Sequence, residues 1–183
     1  MYKRQLLYVI QLYPYIGTDS YYIGFMQSIS TFCNAGFVFF DNNLPYKMVG
    51  DVLFNINTAV LIVVGGFGYL AAFDIWSHRK VRRLVELKLH TKIMLVGTAA
   101  LIVLGTILFL GLEWANPKTL GQLPVWNKMM ASFFQSITPR TAGIATIDYS
   151  QLHPITLFVT IILMFIGAGP NSTGGGVKIS TVM

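Results

Sequence analysis

Long apolar stretches alternate with short polar ones along this chain. One apolar stretch runs from about residue 52 to 76, and another runs from about residue 92 to 112. Each is close to the ~20 residues that a helix needs to cross the hydrocarbon core of a membrane. A third, at residues 154–167, is shorter and breaks into "GAGPNSTGGGVK", while residues 6–13 look like the end of a preceding helix. The pattern predicts an all-α polytopic membrane protein.

Two segments of mixed character, residues 19–37 and 127–144, lie between these stretches. Each begins with a helix-compatible run of about 12 residues, which suits a re-entrant segment better than a complete span. Asp19 or Ser20, and Asn127, are the expected N-caps of these short helices.

The two mixed segments are copies of one another. "FMQSISTFCNAGF" and "FFQSITPRTAGI" align with a single one-residue gap, and an acidic residue follows five positions after each glycine, at Asp41 and Asp148. Each copy is followed by an apolar stretch that ends in glycines. The identical positions are Phe25, Gln27, Ser28, Ile29, Ala35 and Gly36 in the first copy and Phe133, Gln135, Ser136, Ile137, Ala142 and Gly143 in the second, and Ser30 matches Thr138 conservatively.

Composition and charge support a membrane protein. The chain is 54% hydrophobic and only 11% charged, whereas soluble domains carry about 25% charged residues. Positive residues concentrate between two apolar stretches, which predicts a cytoplasmic loop at residues 77–91. Nucleic-acid binding is disfavoured because the basic run is short and lacks interleaved aromatic residues. The run contains six of the thirteen Lys and Arg residues: Arg79, Lys80, Arg82, Arg83, Lys88 and Lys92.

This topology makes the two copies parallel re-entrant repeats that enter and leave the membrane on the outer side. The C-terminal end of such a half-helix carries partial negative charge at the middle of the membrane. The backbone carbonyls that follow it, at residues 34–36 and 141–143, can replace the water shell of a cation. Two copies provide two sides of a ring that needs about four.

The unit resembles the helix–pore loop–helix repeat of the Trk/Ktr/HKT superfamily of potassium transporters, most closely its bacterial KtrB-type membrane subunits. "SISTFCNAGF" is similar to the second pore loop of that family, "FFQSITPRTAGIATID" to the third, and "LMFIGAGPNSTGGGVKIST" to the interrupted second helix of the third repeat. The resemblance implies four repeats around one pore. This chain would supply part of repeat two, with residues 1–18 ending a preceding transmembrane helix and residues 19–76 following it, and most of repeat three, residues 92–183.

The resemblance also implies which residues form the selectivity filter. One glycine from each repeat, here Gly36 and Gly143, lines the pore, and Ile144 stands where an aromatic residue is common in the family. Repeats one and four, which are absent from this chain, would complete the ring. The implied filter residues are Asn34, Ala35, Gly36, Phe37, Thr141, Ala142, Gly143 and Ile144.

The glycine-rich stretch at residues 167–176 does not fit a phosphate-binding loop, because Gly175 occupies the position where that motif needs lysine. Pro170 and three consecutive glycines are incompatible with a regular helix, so a helix broken inside the membrane is expected. The resemblance implies that this loop lies beneath the filter and gates the pathway. A helix end at the inner surface, anchored by Lys178, is the alternative. The predicted gating loop comprises Gly167, Ala168, Gly169, Pro170, Asn171, Ser172, Thr173, Gly174, Gly175 and Gly176.

Several polar residues receive smaller roles. Arg140 is expected to brace the filter loop by donating hydrogen bonds to backbone carbonyls. Asp41 and Asp148 either concentrate cations at the outer mouth or act as ordinary loop acids and turn caps. Three polar residues of the predicted span at residues 52–76, Asn55, Asn57 and Asp74, are candidates to face the water pathway. For Asp74, a position at the membrane interface is the alternative. Glu113 is expected in an external loop at residues 113–127.

The expected function is uptake of K⁺ down its electrochemical gradient, and the chain offers no nucleophile–base pair or metal cluster that indicates an enzyme. No cofactor is expected besides the transported K⁺. The resemblance implies a multi-pass protein of the bacterial plasma membrane, in contact with the lipid bilayer, that forms a homodimer and binds a cytoplasmic nucleotide-binding regulatory subunit of the KtrA/TrkA type. A secondary transporter of another class with broken helices, and a membrane assembly protein that transports nothing, are the alternatives.

Two features concern the termini and the single cysteine. Residues 1–5, "MYKRQ", are what translation of a transposon end used in preparing sequencing libraries would give. We therefore expect the natural protein to extend further upstream. Cys33 is the single cysteine, so an internal disulfide cannot form. Its expected role is packing.

Overall fold

The structure, a computed structural model, describes residues 2–41, 44–77 and 87–178. These residues form α-helices joined by loops and two short 3₁₀ turns, Gly17–Asp19 and Tyr149–Gln151. The all-α prediction is confirmed for this part of the chain. The helices are α1 (Tyr2–Ile16), α2 (Ser20–Phe32), α3 (Leu44–Lys47), α4 (Val52–Gly66), α5 (Tyr69–Ser77), α6 (Leu89–Glu113), α7 (Val125–Ile137) and α8 (Pro154–Phe165).

Helix α6 is the predicted span of residues 92–112, and it begins a few residues earlier. It has 25 residues with a mean hydropathy of 2.6, enough to cross a bilayer at about 1.5 Å per residue. Among the described residues it is the one unbroken helix that is long and apolar enough to do so. Helix α8 is apolar but has only 12 residues, which agrees with the short third stretch.

The predicted span at residues 52–76 is wrong as a single helix. Helices α4 and α5 together are apolar enough, but they meet at an angle of 99°. Gly68, at the bend, has a φ of +85°, a conformation that glycine adopts at little cost. The backbone N–H of Tyr69 donates to the carbonyl oxygen of Asn171 at 3.2 Å. The helix breaks because its backbone groups pair with a distant segment of the chain.

The two predicted half-helices are present as α2 and α7, and each has 13 residues. The predicted N-cap is wrong for α7, whereas Asp19 does occupy that position in α2. Helix α7 begins after Pro124, so Asn127 lies inside the helix and is not its N-cap. Asp19 occupies the N-cap position of α2, but its side chain makes no capping hydrogen bond.

Each repeat has its own hydrophobic core. In the first, Tyr8 of α1 is fully buried, packs edge-on against Phe54 of α4 and hydrogen-bonds Thr58 through its hydroxyl at 2.6 Å. The second core joins α6, α7 and α8 around Phe109. A smaller cluster between the repeats contains Ala59, Ile62, Ile137 and Ala142. The candidate filter residue Ala142 therefore belongs to the packing that joins the repeats.

The expectation that Glu113 lies in an external loop is wrong. This residue ends α6 with only 1% of its surface exposed. One carboxylate oxygen accepts hydrogen bonds from Asn116 Nδ2 and Thr119 Oγ1, both at 2.7 Å, and the other accepts from His153 N at 2.9 Å and Thr156 Oγ1 at 2.6 Å. Four donors satisfy the buried charge and tie the end of α6 to the start of α8.

Candidate ion filter and the adjoining glycine-rich loop

Two backbone triplets follow the half-helices, residues 34–36 after α2 and residues 141–143 after α7. Asn34 and Gly36 have φ values of +48° and +78°, and Thr141 and Gly143 have φ values of +66° and +71°. The alanine between each pair is not in the left-handed region. Left-handed Asn and Thr are uncommon, and this conformation is unfavourable for a β-branched residue. The duplicated sequence therefore has a duplicated and unusual backbone conformation.

The carbonyl oxygens of both triplets are unpaired. Within the described residues, none of the six carbonyls at positions 34–36 and 141–143 accepts a hydrogen bond. Asn34 and Ala142 are buried, whereas Ala35, Gly36 and Gly143 are exposed. Carbonyl oxygens without a protein partner at the ends of both half-helices are suited to coordinate a cation.

The two triplets meet at their glycines. A Cβ atom added to Gly143 would lie 2.5 Å from Gly36 Cα and 2.7 Å from Gly36 O. Such an atom has no space, so position 143 accepts glycine alone without movement of the backbone.

A hydroxyl group in each half-helix bonds the residue that follows the filter glycine. Ser30 Oγ donates to the carbonyl of Phe37 at 2.7 Å, and Thr138 Oγ1 donates to the carbonyl of Ile144 at 2.6 Å. Sequence alignment paired Ser30 with Thr138 but assigned neither a role. Both copies have a hydroxyl group at this position, which is visible in the sequence. The carbonyl that each hydroxyl bonds follows the filter glycine, and only the fold shows that the two groups meet.

The duplicated glutamines hold the two exit loops, which lead away from the triplets. Gln27 Oε1 accepts from the backbone N–H of Phe39, and Gln135 Oε1 accepts from the hydroxyl of Tyr149, both at 3.0 Å. Both glutamine side chains are buried. Their position in the repeat was recognised from the sequence, but this function was missed.

Arg140 lies next to the second triplet and is mostly buried, with 7% of its surface exposed. Its Nη2 donates to the backbone carbonyl of Thr98 in α6 at 3.1 Å. The predicted type of contact, a bond to a backbone carbonyl, is present, although the carbonyl belongs to a helix and not to the loop itself. The guanidinium group thus connects the loop to α6.

The two acidic residues of the exit loops are exposed. Asp148 Oδ1 accepts a hydrogen bond from the backbone N–H of Ser150 at 2.9 Å and caps the turn Tyr149–Gln151. This bond lowers the pKa of the Asp148 carboxyl from its ordinary value, because it stabilises the charged form. Asp148 therefore acts as a turn cap, and its charge also remains at the surface near the end of the loop.

The glycine-rich loop, residues 167–176, packs against the break between α4 and α5. The backbone N–H of Gly169 donates to Gly66 O at 2.9 Å, and that of Thr173 donates to Gly65 O at 3.4 Å. A Cβ atom on Gly65 would overlap the carbonyl oxygen of Phe32, the last residue of α2. Glycines allow three backbone segments, from both repeats, to meet at this point.

The same loop also lies against both triplets. Thr173 Oγ1 is 3.4 Å from the Asn34 side-chain amide and donates to the carbonyl of Phe32 at 3.2 Å. A Cβ on Gly175 would lie 3.5 Å from the Thr141 methyl group. Helix α8 ends at Phe165, before the glycine-rich loop begins.

Lys178, the anchor of the alternative interpretation, bonds the glycine-rich loop itself. Its Nζ donates to the carbonyl of Gly174 at 2.8 Å, within the loop. The loop also folds back on itself, because Gly167 N donates to Val177 O at 2.9 Å and Ala168 N donates to Gly175 O at 3.2 Å. These bonds give the segment a defined shape.

Other polar candidates have structural partners. Asn55 Nδ2 donates to the carbonyls of Met48, Val49 and Asp51 at 2.7–3.2 Å, so this amide does not face a water pathway. Asn57 is buried in α4.

Asp74 is buried and accepts from Lys88 N at 3.0 Å and Thr91 Oγ1 at 2.6 Å, which joins α5 to the start of α6. Cys33 is exposed, so its expected role in packing is wrong. Four of the basic residues predicted in the cytoplasmic loop fall outside the described residues: Arg79, Lys80, Arg82 and Arg83.

Comparison with known proteins places these features in a family context. A family model described as "TrkH: Cation transport protein" matches residues 7–183. The chain is 40% identical over 177 residues to the Ktr system potassium uptake protein B of Bacillus subtilis (strain 168), and the match covers 96% of this chain and 39% of that protein. It is 43% identical over 155 residues to the protein of the same name from Vibrio alginolyticus, covering 85% of this chain and 34% of the relative.

Among solved structures, the chain is similar to the potassium transporter TrkH from Vibrio parahaemolyticus, with a TM-score of 0.71. The sequences are 17% identical, and the match covers 99% of this chain and 37% of that chain. At this identity the likeness concerns the fold. The chain thus spans less than half the length of the proteins it matches.

Proposed function

The chain belongs to the TrkH family of cation transport proteins, and from this premise we propose that it supplies two of the four repeats that surround a K⁺ pathway. The two triplets are two quarters of the selectivity filter. K⁺ is the transported ion, in keeping with the names of the potassium uptake proteins that it resembles. Membership of this family argues against the two alternatives, a secondary transporter of another class and an assembly protein.

The observation that carries the proposal is that the carbonyls in both triplets have no hydrogen-bond donor among the described residues. Oxygens without hydrogen-bond partners, repeated at the ends of two equivalent half-helices, are suited to replace the hydration shell of a cation. The C-terminal ends of α2 and α7 add partial negative charge at the same place. Arg140 supports this arrangement by linking the second loop to α6.

Two further repeats complete the ring in this proposal. Gly36 and Gly143 touch in the structure of the two repeats, and a ring that admits an ion needs backbone on its remaining sides. The relatives have ample length for it, since this chain corresponds to 39% of the Bacillus subtilis protein. Repeats one and four of the same protein are the proposed partners.

The glycine-rich loop is the proposed gate. It contacts Asn34 through Thr173 and lies beside Thr141 through Gly175, so it occupies space directly against both triplets. Passage of an ion past the filter requires this loop to move. The backbone bonds to Gly65 and Gly66 favour the position that blocks the pathway.

The remaining parts of the proposal concern the assembled protein. It is a multi-pass protein of the bacterial plasma membrane that forms a homodimer and binds a cytoplasmic nucleotide-binding regulatory subunit. The relatives are named as members of a "Ktr system", which is consistent with more than one component. The basic loop at residues 77–91 is a candidate contact for the regulator and is equally suited to a role in topology alone.

The direct test is ion uptake by the intact protein that contains this chain. Expressed in a bacterium that lacks its own K⁺ uptake systems, the protein should restore growth at low K⁺ and should take up K⁺ in preference to Na⁺. Protein that reaches the membrane without restoring K⁺ uptake would overturn the proposal.

A further inference from the structure

We propose that Ser30 and Thr138 are positioning residues that determine ion selectivity, because each fixes the backbone on both sides of a filter glycine. This inference rests on the proposed role of the two triplets as filter segments. It assigns a function to two hydroxyl groups that do not themselves touch the ion.

Each of these residues bonds its filter turn twice. The backbone carbonyl of Ser30 accepts from Ala35 N at 3.0 Å, and its hydroxyl donates to Phe37 O at 2.7 Å. The first bond holds the residue before the filter glycine, and the second holds the residue after it. Gly36 therefore lies between two fixed points.

The second repeat makes the same pair of bonds. The backbone carbonyl of Thr138 accepts from Ala142 N at 3.2 Å, and its hydroxyl donates to Ile144 O at 2.6 Å. Both hydroxyl distances lie within the range of good O–H···O bonds. Both residues are almost completely buried, with 5% of Ser30 and 4% of Thr138 exposed, so water does not compete for these bonds.

The one-residue gap between the repeats makes this agreement informative. Ser30 precedes its filter glycine by six positions, whereas Thr138 precedes Gly143 by five. Helical register alone would place the two hydroxyls differently relative to their turns. The same bonds form in spite of the gap and in spite of the change from serine to threonine, which indicates a shared requirement of the turn.

The requirement follows from the flexibility of glycine. A glycine with positive φ has few steric limits, so the chain that follows it can change direction unless something holds it. The hydroxyl bond keeps the carbonyls of Phe37 and Ile144 directed at the half-helices, and the three carbonyls of each triplet remain free. Selectivity depends on the number and position of the coordinating carbonyls. Loss of the hydroxyl releases one more carbonyl and loosens the triplet.

The test compares substitutions at these positions in the intact protein, reconstituted in liposomes. Thr138→Val removes the hydroxyl and keeps the branched shape, and Thr138→Ser keeps the hydroxyl. Ser28→Ala is the matched control, because Ser28 is similarly buried and its hydroxyl donates to Phe25 O within its own half-helix, α2, at 2.8 Å. The measured quantities are the rates of K⁺ and Na⁺ uptake and the thermal unfolding midpoint of each variant.

Thr138→Val should lower the ratio of K⁺ to Na⁺ uptake by about fivefold, the change that corresponds to one ordinary hydrogen bond. Thr138→Ser and Ser28→Ala should keep the wild-type ratio. The inference is overturned if Thr138→Val retains the ratio, or if Thr138→Ser loses as much of it. If Thr138→Val does not reach the membrane, Ser30→Ala provides the same comparison in the other repeat.

Failure of this inference is distinguishable from failure of the proposed function. A Gly143→Ser variant measured beside the others tests the filter itself. Loss of selectivity in Gly143→Ser with none in Thr138→Val and Ser30→Ala removes the positioning role alone. Unchanged selectivity in Gly143→Ser removes the filter assignment on which the inference rests.

Discussion

Gly143 and Gly36, the central residues of the two candidate filter segments, touch through their backbones, and a Cβ atom added to Gly143 would lie 2.5 Å from Gly36 Cα. The relationship is not symmetrical. A Cβ on Gly36 would have as its nearest neighbour the carbonyl oxygen of Thr141, at 3.8 Å. The two glycines have similar φ values, so alanine at either position causes a similar backbone strain. A difference in stability between the two alanine variants therefore reports the effect of close packing.

We expect Gly143→Ala to destabilise the intact protein more than Gly36→Ala. Both substitutions impose a left-handed conformation on alanine, which costs about 1–2 kcal/mol, but only the first also creates a steric overlap. Thermal unfolding of the purified protein in detergent measures the difference. Gly111→Ala is the control, because the added Cβ meets no atom within 4 Å and Gly111 is helical. Equal unfolding midpoints for the two filter variants would contradict the asymmetry.

Glu113→Gln should destabilise the protein by about 2–3 kcal/mol, because a buried charged acceptor of four hydrogen bonds becomes a neutral group with its own donors. The amide nitrogen would then face a donor from Asn116, Thr119, Thr156 or the His153 backbone. Thermal unfolding in detergent measures the loss.

The control for that experiment is Asp148→Asn, which changes an exposed carboxylate at a turn cap. Asparagine also serves as a cap, so this variant should unfold close to the wild type. A Glu113→Gln variant as stable as Asp148→Asn would mean that the carboxylate does not hold α6 and α8 together.

Thr173→Val tests the proposed gate. The change removes the hydrogen bond from the glycine-rich loop to Phe32 O at the end of α2. If that bond favours the blocked position, its loss should raise basal K⁺ uptake by about fivefold. Ser172→Ala is the matched control, since its hydroxyl bonds Gly169 O inside the loop and should leave the basal rate nearly unchanged. Basal uptake that does not rise in Thr173→Val would contradict a closed position held by this bond.

Much of this fold could be predicted from the repeat in the sequence. The match between the two copies identified α2 and α7 and the two turns that contain Gly36 and Gly143, because glycine at equivalent positions indicates an equivalent backbone. Similarity to the Trk/Ktr/HKT superfamily and to its KtrB-type subunits is confirmed by the comparisons. Local sequence was sufficient here because each half-helix and its turn lie within one short segment.

The features that were missed depend on contacts between distant segments. Hydropathy predicted one helix at residues 52–76, and the break at Gly68 arises from backbone pairing with Asn171, about 100 positions away. Glu113 was expected in a loop because it follows the predicted span at residues 92–112. Its burial depends on donors from α8 and the intervening loop, which no local pattern reveals.

The assignment of Gly143 to an ion filter is tested most directly by the selectivity of the intact protein in liposomes. Wild-type protein and Gly111→Ala should take up K⁺ in clear preference to Na⁺, because Gly111 lies in α6 away from the filter. Gly143→Ser, at equal amounts of folded protein, should lose much of that preference, because serine disturbs the carbonyls at the glycine contact. A Gly143→Ser variant that discriminates K⁺ from Na⁺ as well as the wild type would contradict the account.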